Sequence, residues 1–321
     1  MSKSVRLPQI DMIKFISALA VFFIHYAGIY MQTFNGLYSA YLTPIRNLCF
    51  FSVPVFFIAS GFLHADKEYS YKKILPKILY FYFITFSIDF IFEILNTYIR
   101  NQNYSVNLST MLINSLLLHL MSHSHLWFMI SIMILYLFVP IFSSAKPGDI
   151  FVLTILTTIF SFFKPLLFPS INFPFPLPYY FSYFLIGYSI KHLSYIQKQL
   201  IMILCFILFV LCMIINTSAN KFDYNGPLIF FLAISIFLFL LSINIRNQHL
   251  INIFNMLSVA SLGIYISHPV FIHFLFTYKK IRLSLPIFWA FLPILFTLNV
   301  FLVLLVKKLI SFLQAKIFKN N

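Results

Sequence analysis

Charge is what this chain has least of. Only 9% of its 321 residues are Asp, Glu, Lys or Arg, and just 7 of these are acidic, whereas soluble domains carry about 25% charged residues. A surface so poor in charge excludes an ordinary soluble globular protein, and the length leaves no room for a sizeable soluble domain. Cysteine is equally scarce. Cys49, Cys205 and Cys212 lie in or beside apolar runs without paired spacing, which excludes a disulfide framework or a thiolate metal set and leaves them as small core residues. No fixed-period repeat and no Gly/Ser-rich linker divides the chain, so residues 1–321 read as a single integral-membrane domain. The start also lacks a cleaved signal-peptide pattern, because Asp11 and Lys14 precede the main apolar run; the first helix is expected to be retained. The net charge of +15 does not coincide with any groove-binding pattern, so nucleic acid is not an expected partner.

What is present is hydrophobicity, 61% of the residues, with aromatics making up 20%. The pattern predicts an all-α fold: a polytopic transmembrane helix bundle of about ten helices. The expected spans are roughly 8–30, 45–64, 73–97, 125–143, 149–168, 178–193, 199–216, 226–243, 255–277 and 285–307. A further short apolar piece, 107–121, either crosses or only dips into the membrane. Basic residues sit at the ends of apolar runs, where they favour the cytoplasmic side and anionic membrane lipids. With ten crossings, Lys3, Arg6, the Lys67–Lys77 cluster, Lys146, Lys191, Lys198, Arg246 and the C-terminal lysines all fall inside, and the cluster Lys279, Lys280 and Arg282 is the one violation, falling outside. Counting 107–121 as a crossing reverses that last cluster but sends the lysine-rich tail outside, so ten is the expected number. The stretch NFPFPLP (172–178) reads as a proline-stiffened external loop.

Residues 6–30 carry the polar groups that a membrane helix normally avoids: Asp11, Lys14 and His25. At about 100° per residue, the eleven steps from Lys14 to His25 return to within about 20° of the same direction, about 16 Å along the axis. Asp11 lies within about 60° of Lys14. Such a stripe faces a bundle interior or a watery cavity. Asp11 either pairs with or orients Lys14, or it marks the cytoplasmic end of the helix. Histidine titrates near neutral pH and can take a proton from a hydroxyl, so His25 is the candidate base.

Other candidates are weaker in isolation. His119, His123 and His125 have spacings of four and two, but no carboxylate or cysteine lies nearby and the His-Glu-x-x-His pattern is absent, so no metal site is expected. Ser60-Gly61 either permits close helix packing or leaves the Ser60 hydroxyl beside a reacting carbonyl. His268-Pro269 interrupts an apolar helix, with Tyr265 one turn earlier, and places His268 and Tyr265 as candidate cavity residues. Asp89 and Glu93 share a helix face four residues apart.

Four stretches, taken in order, resemble the acyltransferase-3 family of membrane acyltransferases. They are the Lys14-x10-His25 helix, FSVPVFFIASGFL (51–63) with Ser60-Gly61-Phe62, HLWFMISIMILYLFVPIF (125–142) and SLGIYISHPVF (261–271). The family more often has arginine where this chain has Lys14, which keeps the charge but loses the bidentate fork. The resemblance implies an O-acyltransferase in a bacterial inner membrane, with both termini cytoplasmic. It would carry an acetyl group from acetyl-CoA, bound as donor and not as a resident cofactor, to a hydroxyl of a surface or lipid-linked glycan such as lipopolysaccharide O-antigen. It implies catalytic roles for His25 and Lys14, and substrate contacts by Asp11, Ser60, His125, Trp127, Tyr265 and His268. Trp127 either stacks on a sugar ring or anchors the helix at the interface. The transfer is either direct, with His25 as base, or proceeds through a covalent acyl carrier. A polysaccharide flippase or polymerase is the competing class, although the large external loop of a polymerase and the paired halves of a transporter are not visible.

Overall fold

The computed structural model describes residues 6–33, 36, 38–99, 108–116, 126–167, 177–215, 226–273, 276 and 283–319. The elements are α1 (Pro8–Thr33), α2 (Ser39–Leu48), a 3-10 turn (Cys49–Phe51), α3 (Ser52–His64), α4 (Tyr71–Ile99), α5 (Leu108–Leu116), α6 (Trp127–Ser144), α7 (Pro147–Leu167), α8 (Leu177–Lys191), α9 (Tyr195–Ile215), α10 (Pro227–Ser242), α11 (Gln248–His273) and α12 (Leu285–Lys319). No strand occurs among the described residues. The fold is all-α and polytopic, and each of the ten expected spans coincides with a helix or, for 45–64, with α2 and α3 joined by the turn. Seven of these are long and apolar enough to cross a bilayer, and two shorter apolar helices, Pro147–Phe163 and Pro227–Ser242, accompany them.

Local chemistry explains several boundaries. Pro147 and Pro227 open α7 and α10, where the missing N–H costs nothing. Ser194 and Gln197 form a reciprocal cap before α9, with Gln197 N donating to Ser194 Oγ at 3.3 Å and Ser194 N to Gln197 Oε1 at 2.9 Å. Asn247 caps α11 by accepting from His249 N at 2.8 Å. Of the expected external loop 172–178, Leu177 already belongs to α8, and 172–176 lies outside the described residues. The outer faces are apolar: Ile203, Phe206 and Ile215 of α9 are all exposed, as suits a lipid-facing helix.

The helices group into two compact units, one of residues 1–52 and 240–321, the other of residues 53–239. In the first, Arg6 meets Asn255, Phe22 meets His268, and Tyr26 and Tyr30 meet Phe276. Both numbers rise together, so α1 and α11 are parallel. α12 runs back against α11, with Ser267 on Asn299 and Gly263 on Val303. Tyr26 and Tyr30, fully buried, donate from their hydroxyls to the carbonyls of Phe288 and Leu283 at 3.0 Å each.

In the second unit α3 is parallel to α6, because Phe57 meets Phe128 and Ser60 meets Tyr136. Parallel spans need an odd number of crossings between them. α4 supplies one, and the described part of α5 is too short to add another. Its nine described residues extend only about 14 Å, against about 30 Å of hydrocarbon. α5 lies on α4, where the Tyr82 hydroxyl donates to the Leu116 carbonyl at 2.6 Å. α3 and α8 approach each other through a reciprocal pair of glycines. A Cβ on Gly61 would stand 1.9 Å from the Phe184 carbonyl oxygen, and one on Gly187 would stand 1.9 Å from that of Ile58.

Candidate active site

α1 is one unbroken helix from Pro8 to Thr33, so Lys14 and His25 do fall on one stripe. Both side chains are half-buried, whereas Asp11 is buried at 5% exposure. The Asp11 carboxylate is gripped by Arg6, with Nε at 2.6 Å from Oδ2 and Nη2 at 3.2 Å from Oδ1. Arg6 also donates to the Asn255 carbonyl at 3.4 Å and so ties the start of α1 to α11. The charge-assisted fork is the strong form of such a contact. The sequence marks Arg6 only as a cytoplasmic flank, because it precedes the helix and shares no helical spacing with Asp11.

The His25 end of the stripe meets α11. The imidazoles of His25 and His268 lie 4.8 Å apart, centroid to centroid, at 47°. His268 is fully buried, and its Nδ1 is 3.2 Å from the Ile264 carbonyl of its own helix. That contact favours the tautomer with the proton on Nδ1, leaving the Nε2 lone pair as acceptor. Phe22 and Tyr265 flank the His268 ring at 6.3 and 6.1 Å. Pro269 cannot donate to the Tyr265 carbonyl, which loosens the backbone beside the histidine. Next along α11, the Ser267 hydroxyl sits 2.6 Å from Oδ1 of the fully buried Asn299. The structure thus assembles Asp11, Lys14, His25, Tyr265 and His268 within one unit.

Ser60 and Trp127 belong to the other unit. The Ser60 hydroxyl lies 3.3 Å from the Tyr136 hydroxyl, and its carbonyl lies 2.7 Å from His64 Nδ1. Trp127 stacks on Tyr180 at 5.0 Å and 20°, so one face of the indole is already covered. The buried His64, ringed by Tyr69, Tyr136 and Phe184, was not foreseen. No spacing rule links the end of α3 to the middle of α6. His125, with His119 and His123, lies outside the described residues. Among the described residues no three His, Cys, Asp or Glu side chains gather as a metal set, and all three cysteines are free thiols.

A further cation reaches α1 at the residue before His25. Arg46 of α2 donates from Nε to the carbonyl of Ile24 at 3.2 Å. Its guanidinium rests against Gly28 and lies 5.4 Å from the Phe50 ring centroid. The sequence signal, an arginine inside an apolar span, was present but unused.

The family model of the acyltransferase-3 type, described as an acyltransferase domain, matches residues 7–308. No curated protein and no solved structure matches the chain.

Proposed function

We infer the function from a premise now in place: this chain belongs to the acyltransferase-3 family. It is a multi-pass membrane acyltransferase. Beyond that, we propose that it takes an acetyl group from cytoplasmic acetyl-CoA and delivers it to a hydroxyl of a cell-surface polysaccharide, O-antigen or a lipid-linked precursor. The setting is the bacterial inner membrane, with both termini cytoplasmic. The observation that carries the reading is the His25–His268 pair at one end of an α1 stripe whose other end bears Lys14.

In this reading the acceptor hydroxyl oxygen attacks the thioester carbonyl while His25 takes the hydroxyl proton. The tetrahedral adduct collapses with loss of the C–S bond, and the proton passes to the departing thiolate. His268, anchored by the Ile264 carbonyl, restricts the His25 ring and offers a second imidazole to share the proton. Lys14, about 16 Å further along the axis, draws the phosphates of the donor from the cytoplasmic side. Asp11 and its Arg6 fork hold the entry end of α1 against α11. Tyr265 keeps the His268 ring in place.

The test is mass spectrometry of surface glycan from cells with the gene, without it, and with His25→Ala. One added acetyl per repeat unit, seen only with intact His25 at equal protein abundance, is the expected result. An unmodified glycan whose chain length changes instead overturns the proposal in favour of a polymerase.

A further inference from the structure

The surroundings of His25 contain a cation with no part in the chemistry above. Arg46 is half-buried in an apolar span, where an arginine is costly unless something repays it. Its one hydrogen bond among the described residues uses Nε, on the Ile24 carbonyl at 3.2 Å. Nη1 and Nη2 bond no other group among the described residues. The guanidinium is held rather than loose. The Phe50 ring centroid lies 5.4 Å from its Cζ, and Gly28 lies against it, where an added Cβ would make ordinary contact at 3.5 Å from Nε and 3.8 Å from Nη2. With Nε engaged, Nη1 and Nη2 are the remaining donors, a planar pair of the kind that grips two oxygens of one anion.

The position on α1 also matters. Ile24 and Gly28 lie on the flank next to His25 on the helix surface, and His268 approaches His25 from α11. The guanidinium therefore meets α1 at the residue before the candidate base, toward the end of α1 away from Lys14. In the proposed orientation that end is outside, where cations are disfavoured.

We propose that Arg46 is a clamp for an oxyanion on the acceptor, so that the acyl acceptor is an anionic glycan carrying a phosphate or a carboxylate near the hydroxyl to be acylated. This rests on the acyltransferase reading for its meaning, but the clamp itself is testable without turnover. The ligand's two sources share one chemistry, a pair of oxygens matched to the fork. Binding gains from low dielectric and weakens as salt screens the pair.

Full-length protein in lipid nanodiscs is titrated calorimetrically with inorganic diphosphate, glucuronate and glucose, at low and high salt. Wild type and His25→Ala should bind one or both anions alike and ignore glucose. Arg46→Gln, which keeps a donor for the Ile24 carbonyl, should weaken anion binding at least about tenfold, and Arg46→Lys should retain part of it. Gly28→Leu, which fills the cradle and leaves the charge, should also weaken it. Diphosphate binding points to a phosphate-bearing acceptor, and glucuronate binding to an acidic sugar. Undiminished binding in Arg46→Gln, or no binding of either anion to wild type, overturns the clamp. If acyl transfer proves independent of His25 while Arg46→Gln still abolishes anion binding, the catalytic reading fails and the clamp stands. If transfer depends on His25 while Arg46→Gln changes nothing, the clamp alone fails.

Discussion

The reciprocal glycines of α3 and α8 make a demanding prediction. A Cβ on Gly61 would fall 1.9 Å from the Phe184 carbonyl oxygen, 2.8 Å from its carbon and 3.2 Å from the Tyr188 nitrogen. Ordinary carbon–oxygen contacts need about 3.3 Å, so Gly61→Ala requires the helices to part by about 1.4 Å. The obstacle is backbone on both sides and cannot rotate away. A radial gap near 1 Å already forfeits up to about half of each dispersion well, and packing rather than water release holds membrane helices together. The expected loss is about 3 kcal/mol, the upper end for overpacking. Gly187→Ala places its Cβ 1.9 Å from the Ile58 oxygen and demands the same separation. One opening of the interface then serves both substitutions. The double variant should lie within about 1 kcal/mol of either single one, far from the sum. Thermal unfolding in detergent, followed by monodispersity on a sizing column, reads this as a drop of about 6–12 °C for each single variant. Additive losses, or single variants with unchanged melting, would refute the close approach.

At the donor end, Lys14→Arg should keep acyl transfer, since the charge and reach persist, and Lys14→Ala should raise KM for acetyl-CoA about tenfold or more; an unchanged KM in membrane vesicles would remove Lys14 from donor binding. For topology, with the three native cysteines replaced, Leu108→Cys and Leu116→Cys, both at exposed positions, should react with an impermeant maleimide from the same membrane face. Labelling from opposite faces would make α5 a crossing.

What could be read in the sequence was whatever a single helix fixes by itself. Lys14 and His25 share a stripe because helical pitch is invariant, and α1 runs unbroken through both. The spans were legible because apolar length alone separates them from their basic ends. The partners across helices were not. Nothing in the spacing tells that Arg6 reaches forward to Asp11 and across to Asn255, or that Arg46 lies over Gly28. Gly61 was noticed for its motif, but its counterpart Gly187 carries no motif and emerges only from the packing. For Trp127 the sequence leaves sugar stacking and interfacial anchoring both open, and its stacking on Tyr180 is a contact set by the α6–α8 register.

The directions of the helices carry an argument that charge counting did not. The positive-inside rule weighed two topologies against each other through a few lysines, each worth little. Parallel pairing is a stronger constraint, since it fixes parity. α1 with α11 and α3 with α6 are each parallel, and each pair brackets the 107–121 segment in the chain. Were that segment a crossing, α6 and α11 would both be reversed, and His268 would come level with the Asp11 end of α1. The contact between His25 and His268 therefore depends on α5 staying on one side. The short described helix α5 thus goes with the parallel run of α1 and α11 that brings their histidines together.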